Sequence, residues 1–119
     1  MATILLVTNN ADIRELFRYI LSSQHQIVEA KDGKEGIELF ELYKPEIIVT
    51  DLSMPVMDGY DFVKHLRATK LSVKIIAFST YFTCSNERKR MLRAGADLCI
   101  AIPVDPALLA QAVKTVWTS

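Results

Sequence analysis

The chain is short of glycine and has no net charge, and each shortage argues against a class of function. Four glycines stand among 119 residues, and none falls in Thr8-Asn9-Asn10-Ala11, the stretch that follows the first apolar run. A nucleotide loop needs glycine where the backbone closes on phosphate, so this turn is poorly suited to that chemistry. Fourteen Lys and Arg balance fourteen Asp and Glu. With no positive excess there is no field to hold a nucleic acid backbone or an acidic membrane, and no direct partner of either kind is expected. Two cysteines, Cys84 and Cys99, are too few for a disulfide framework and lack metal-ligand spacing, which predicts packed thiols in a reducing compartment. No apolar run reaches the length of a bilayer span, and Met1-Ala2-Thr3 enters a strand without a basic leader, so the expected location is cytoplasmic. What remains is an ordinary globular composition, 50% hydrophobic and 24% charged, of a length suited to one domain.

Short apolar runs alternate with helical periodicity along the whole chain. Strands are predicted over 3–8, 25–30, 46–51, 73–79 and 97–102. A helix behind Asn10 or Asp12, either of which can cap, carries Leu16, Phe17, Ile20 and Leu21. A second follows Asp32-Gly33 with Ile37, Leu39, Phe40 and Tyr43, and a third carries Phe62, Val63 and Leu66. A basic fourth helix ends at Gly95, and a fifth runs from Pro106 to about Trp117. Strands alternating with helices demand parallel pairing through right-handed crossovers, hence a doubly wound three-layer α/β sandwich. In such sheets the site lies outside the carboxyl ends of the strands, where strand order reverses. That rule singles out Thr8, Asn9, Asp51, Ser79 and Ile102-Pro103.

The stretch IIVTDLSMPVMDGYDF (47–62), followed by IIAFST (75–80) and AGADLCIAIPVDP (94–106), resembles the receiver domain of two-component response regulators, in order and over essentially the whole chain. The resemblance implies a flavodoxin-like sheet of order 2-1-3-4-5 and a single receiver-like domain over 1–119. It assigns Asp51 as the phosphoacceptor position and Ser79 as the switch hydroxyl. It also implies Mg²⁺ held by an acidic pair after the first strand, by Asp51 and by the carbonyl of Ser53.

Phosphoryl transfer to a carboxylate requires the charge on the transferring oxygens to be neutralised by a metal and a cation, and Mg²⁺ wants several hard oxygens, usually more than one of them charged. This sequence keeps only part of that set. The acidic pair of the family falls on Thr8 and Asn9, its lysine on Ile102, and its fifth-strand aromatic on Cys99. Any Mg²⁺ site, built from Asp51, Asn9 and Ser53, is therefore expected to be weak. Asp12, the nearest other acid, reads as a helix-start residue.

The loop TYFTCSNE (80–87) is one residue longer than the family pattern and carries Tyr81 and Phe82; these rings either pack on neighbouring helices or form a lid over the pocket. Arg88, Lys89, Arg90 and Arg93 form a solvated helix face or a docking surface. Receivers signal through the face of their fourth helix, fifth strand and fifth helix, which makes a histidine kinase, an output domain or another signalling protein the expected partner. His25 and His65 stand alone and read as structural or exposed. Three functions compete: an atypical receiver that binds proteins with phosphorylation of Asp51 weak or absent, a working phosphoacceptor, and an unrelated enzyme or nucleotide binder on the same fold. The missing charges favour the first, a binding module rather than an enzyme.

Overall fold

The computed structural model describes residues 1–69, 72–83 and 85–118. The elements are β1 (Thr3–Val7), α1 (Ala11–Leu21), β2 (Gln26–Ala30), α2 (Gly33–Tyr43), β3 (Ile47–Asp51), α3 (Gly59–Thr69), β4 (Lys74–Ser79), a 3-10 turn (Thr80–Thr83), α4 (Ser85–Ala94), β5 (Leu98–Ala101) and α5 (Pro106–Thr118). The strands form one parallel sheet of order β2-β1-β3-β4-β5. Four of the predicted strands run one residue too far at the carboxyl end or begin one too early, and 97–102 does both. Thr8 and Ile102 therefore lie just past their strands, at the sheet end that carries the polar residues. Cys84 lies outside the described residues.

Strand residues alternate between two buried clusters because side chains leave a strand on opposite faces. Leu5, Val7, Ile48, Ile75 and Ala77 face Phe62, Val63, Leu66 and Met91 of α3 and α4. Ile4, Leu6, Val49, Ile76 and Phe78 face Phe17, Leu21, Leu109 and Val113 of α1 and α5. A strand buried on both faces reads as an unbroken apolar run, the signature of a parallel sheet. No helix among the described residues is long and apolar enough to cross a membrane.

Local chemistry fixes where each helix starts. Asn10 caps α1, its Oδ1 accepting from the Asp12 and Ile13 amides at 2.9 and 3.1 Å; Asp12 sits in the first turn and is not the cap. Asp32 caps α2 by accepting from the Glu35 amide at 2.8 Å, while Glu35 reaches back to the Lys31 amide at 2.9 Å. Two apolar residues assigned to helix faces turn out to be on the surface, Leu16 at 49% and Tyr43 at 51% exposure. In α1 the sheet takes Phe17 and Leu21, with Ile13 and Ile20 half-buried beside them, so Leu16 falls outside the stripe.

At the amino ends of β4 and β5, Arg67 of α3 ties three segments together. Its guanidinium donates to the Gly95 carbonyl at 2.7 and 3.0 Å and to the Val73 carbonyl at 2.7 Å, and it pairs with Asp97 at 3.1 Å. Asp97 in turn accepts from the Ile75 amide at 2.8 Å.

Two residues of the β3–α3 loop carry backbone constraints of opposite kind. Gly59 opens α3 directly under β3: a Cβ there would stand 2.5 Å from the Asp51 carbonyl oxygen and 2.7 Å from the Leu52 Cα. Val56 has φ 71° and is 84% exposed, so a β-branched residue holds a left-handed conformation with no burial to offset the strain. Gly59→Ala should cost about 1–3 kcal/mol despite alanine's better helix propensity, whereas Val56→Gly should gain about 1 kcal/mol. Urea unfolding of both variants checks the pair, and the two changes should move the midpoint in opposite directions.

Candidate functional site

Parallel pairing brings the carboxyl ends of β1, β3, β4 and β5 to one edge of the molecule. A hollow of about 410 Å³ opens there, lined by Asn9, Asp51, Ser53, Ser79 and Ile102, with Asn10, Ile13 and Thr80 completing it. Of the other residues singled out at the strand ends, Pro103 is exposed and does not line the hollow, and neither does Thr8, which is fully buried. It reaches the site through a hydrogen bond.

That bond organises the carboxylate. Thr8 Oγ1 donates to Asp51 Oδ2 at 2.8 Å, and the Ser53 amide donates to Asp51 Oδ1 at 3.1 Å. Burial raises the Asp51 pKa above its ordinary value, because the charged form loses hydration; the Thr8 hydroxyl and the Ser53 and Leu52 amides oppose the shift without cancelling it. Thr8 is itself held on three sides. Its amide donates to the Ala30 carbonyl at 3.1 Å, its carbonyl accepts from Arg14 at 2.7 Å, and its Oγ1 accepts from the Asn10 amide at 3.2 Å. With Asn10 supplying a proton to Oγ1, the hydroxyl proton points at Asp51.

The rest of the hollow supplies no cation. Ile102 carries only a hydrocarbon side chain, half-buried against the α1 and α5 side of the sheet, and its amide donates to the Ser79 carbonyl at 3.2 Å. The Ile102-Pro103 bond is cis. Ser79 is 3% exposed, and its Oγ accepts from the Tyr81 amide at 3.0 Å. Cys99, buried in β5, has its thiol pushed up to about 11 by burial, against the pull of Arg88, so it stays neutral.

The donor set matches Mg²⁺ poorly. Asp51 is the one carboxylate lining the hollow, and both its oxygens already accept protein hydrogen bonds. Among the described residues no three His, Cys, Asp or Glu side chains converge.

The two aromatic residues after β4 part company. Phe82 is 1% exposed in the core cluster, while Tyr81 is 61% exposed. Neither lines the hollow at Asp51; of the two alternatives, packing holds for Phe82, and Tyr81 is on the surface rather than a lid over that hollow. The basic run divides in the same way. Arg90 stacks on Tyr60 with its guanidinium 3.8 Å from the ring centre, and Arg88 turns inward to the Phe82 and Cys99 carbonyls. Tyr60 donates to Glu87, and burial with that carboxylate pushes its pKa up to about 12. Sequence reasoning passed over Arg14, Tyr60 and Glu87; a charge run gives no sign of which of its members faces inward.

The response regulator receiver domain profile matches residues 4–114. The chemotaxis protein CheY of Halobacterium salinarum is 29% identical over 117 residues, which cover 98% of this chain and 97% of that protein. The nitrate/nitrite response regulator protein NarL of Escherichia coli is 34% identical over 118 residues, covering 94% of this chain but 53% of NarL. Among solved structures, the chemotaxis response regulator CheY4 of Vibrio cholerae superimposes with a TM-score of 0.91 at 26% identity, over 98% of each chain. Sheet order, the motif at the end of β3 and the profile match agree, and the chain belongs to the response regulator receiver domain family.

Proposed function

We propose that the chain is an atypical receiver, a protein-interaction module of signal transduction in which phosphorylation of Asp51 is weak or absent. One observation carries the reading: the carboxylate stands alone in its hollow, with both oxygens bonded to Thr8 and Ser53 and with Ile102 where the family has a lysine. Charge developing on a transferring phosphoryl group would meet no cation there. The proposed partner is a histidine kinase, an output domain or another signalling protein, engaged through α4, β5 and α5 by a single domain spanning 1–119 in the cytoplasm, with no direct nucleic acid or membrane contact.

The working phosphoacceptor remains the second reading because Asp51 and Ser79 both line the hollow. Since the Ser79 Oγ accepts from Tyr81, its own proton is free to be donated. Incubation with Mg²⁺ and a small phosphodonor or fluoroberyllate, followed by amide chemical shifts around Asp51, separates the two. Weak Mg²⁺ affinity and slow or absent labelling are expected. Stoichiometric, long-lived labelling at Asp51 under mild conditions would overturn the first reading.

Restoring the missing acids gives a second test. Thr8→Asp with Asn9→Asp should create a Mg²⁺ site, but it also sets a carboxylate in the buried position that now donates to Asp51. The double variant should therefore lose about 1–3 kcal/mol in chelator and recover much of it on adding Mg²⁺. A variant that folds yet gains no metal affinity would leave the assignment of these strand ends without support.

The charge state of Asp51 also sets a pH dependence. Its folded pKa is raised, so between the ordinary value of 3.8 and the raised one the folded protein binds more protons than the unfolded chain. Stability contributed at Asp51 is therefore lost as pH rises through that window. Asp51→Asn cannot ionise, so urea midpoints measured from pH 3 upward should shift in favour of the variant. At neutral pH the net change should stay under about 1 kcal/mol, because the favourable hydrogen bonds limit the gain.

A further inference from the structure

We propose that Arg88 is a latch that fixes the wall of the strand-end hollow to the face formed by α4 and β5. The guanidinium donates from Nη1 to the Cys99 carbonyl at 2.5 Å and from Nη2 to the Phe82 carbonyl at 2.8 Å. The Cys99 thiol closes the loop on the Arg88 carbonyl at 3.8 Å. One side chain of α4 thus grips both the 3-10 turn before its own helix and the strand after it.

Two features make this grip more than a surface contact. Cys99 lies on β5, an edge strand of the sheet, whose outer carbonyls have no neighbouring strand to serve. Arg88 stands in for that neighbour. Phe82, whose carbonyl is the other acceptor, is 1% exposed in the same buried cluster as Cys99 and Met91, so the turn is anchored by its ring as well as by its backbone. A planar fork suits two separate carbonyls, whereas the point charge of a lysine cannot serve both in the same geometry.

The turn leads directly to the hollow. Ser79 and Thr80 line it, and the Ser79 Oγ accepts from the Tyr81 amide at 3.0 Å. A chain of bonds therefore runs from the hollow through Ser79, Tyr81 and Phe82 to Arg88 and on to β5. Arg88 therefore steadies the hollow's wall from the far side of the turn. The latch holds whether or not Asp51 accepts a phosphoryl group.

Amide hydrogen exchange on the whole chain, with no phosphodonor present, tests it. Arg88→Ala should speed exchange at residues 80–83 and 98–101 by about 10-fold or more, with β1 and β3 at parental rates. Unchanged exchange in those two segments, or an increase spread evenly over the sheet, would overturn the latch. Arg88→Lys keeps the charge and loses the fork, and it should also accelerate at least one of the two segments. Parental rates throughout that variant would mean that charge alone suffices, and would overturn the latch equally. Labelling at Asp51 enters neither measurement, so the two proposals fail separately.

Discussion

The hydrogen bond from Thr8 to Asp51 sets the character of the strand-end hollow. A half-buried carboxylate must be compensated, and receivers of the usual pattern do so with metal and a lysine. Here a neutral hydroxyl does it on one oxygen and the Ser53 amide on the other. Such bonds stabilise the charged form locally and leave burial as the larger influence on Asp51. The result is a carboxylate whose two oxygens each accept a hydrogen bond from the protein.

That arrangement depends on backbone rather than on side-chain charge. Thr8 is oriented by the Ala30 carbonyl, the Asn10 amide and Arg14, and the Asp51 carbonyl lies against Gly59 at a distance no side chain would permit. The sheet delivers Thr8, Asp51, Ser79 and Ile102 to one edge whatever their identities, because parallel pairing fixes the direction of every strand. Fold and chemistry are thus separable in this molecule: the parallel sheet gathers these strand ends, while the side chains they carry decide what the hollow can do.

Much of this was legible in the sequence. The apolar runs located β1, β3 and β4 because these strands are buried almost throughout, whereas the edge strand β2, with Gln26 exposed and Ile27 to Glu29 half-buried, gave a weaker signal; the order of elements left little choice of topology. The Asp51–Gly59 motif located the hollow, and a close approach at Gly59 explains why that motif ends in glycine. What escaped reading was direction. Nothing in Arg88-Lys89-Arg90 shows that the first turns inward and the third stacks on Tyr60, since both depend on residues distant in the chain. Tyr81 and Phe82 look alike in sequence, yet one enters the core and the other meets solvent. Leu16 lies one residue from the buried Phe17 and falls outside the apolar stripe for the same reason: helix rotation is set by packing, not by composition.

Arg67 bears on how such a protein can change. Its guanidinium binds the end of α3, the start of β4 and the turn into β5 at the edge of the sheet remote from Asp51. This tie lies at the opposite end of the strands from the hollow. A substitution at Asn9 or Ile102 therefore leaves the Arg67 tie untouched.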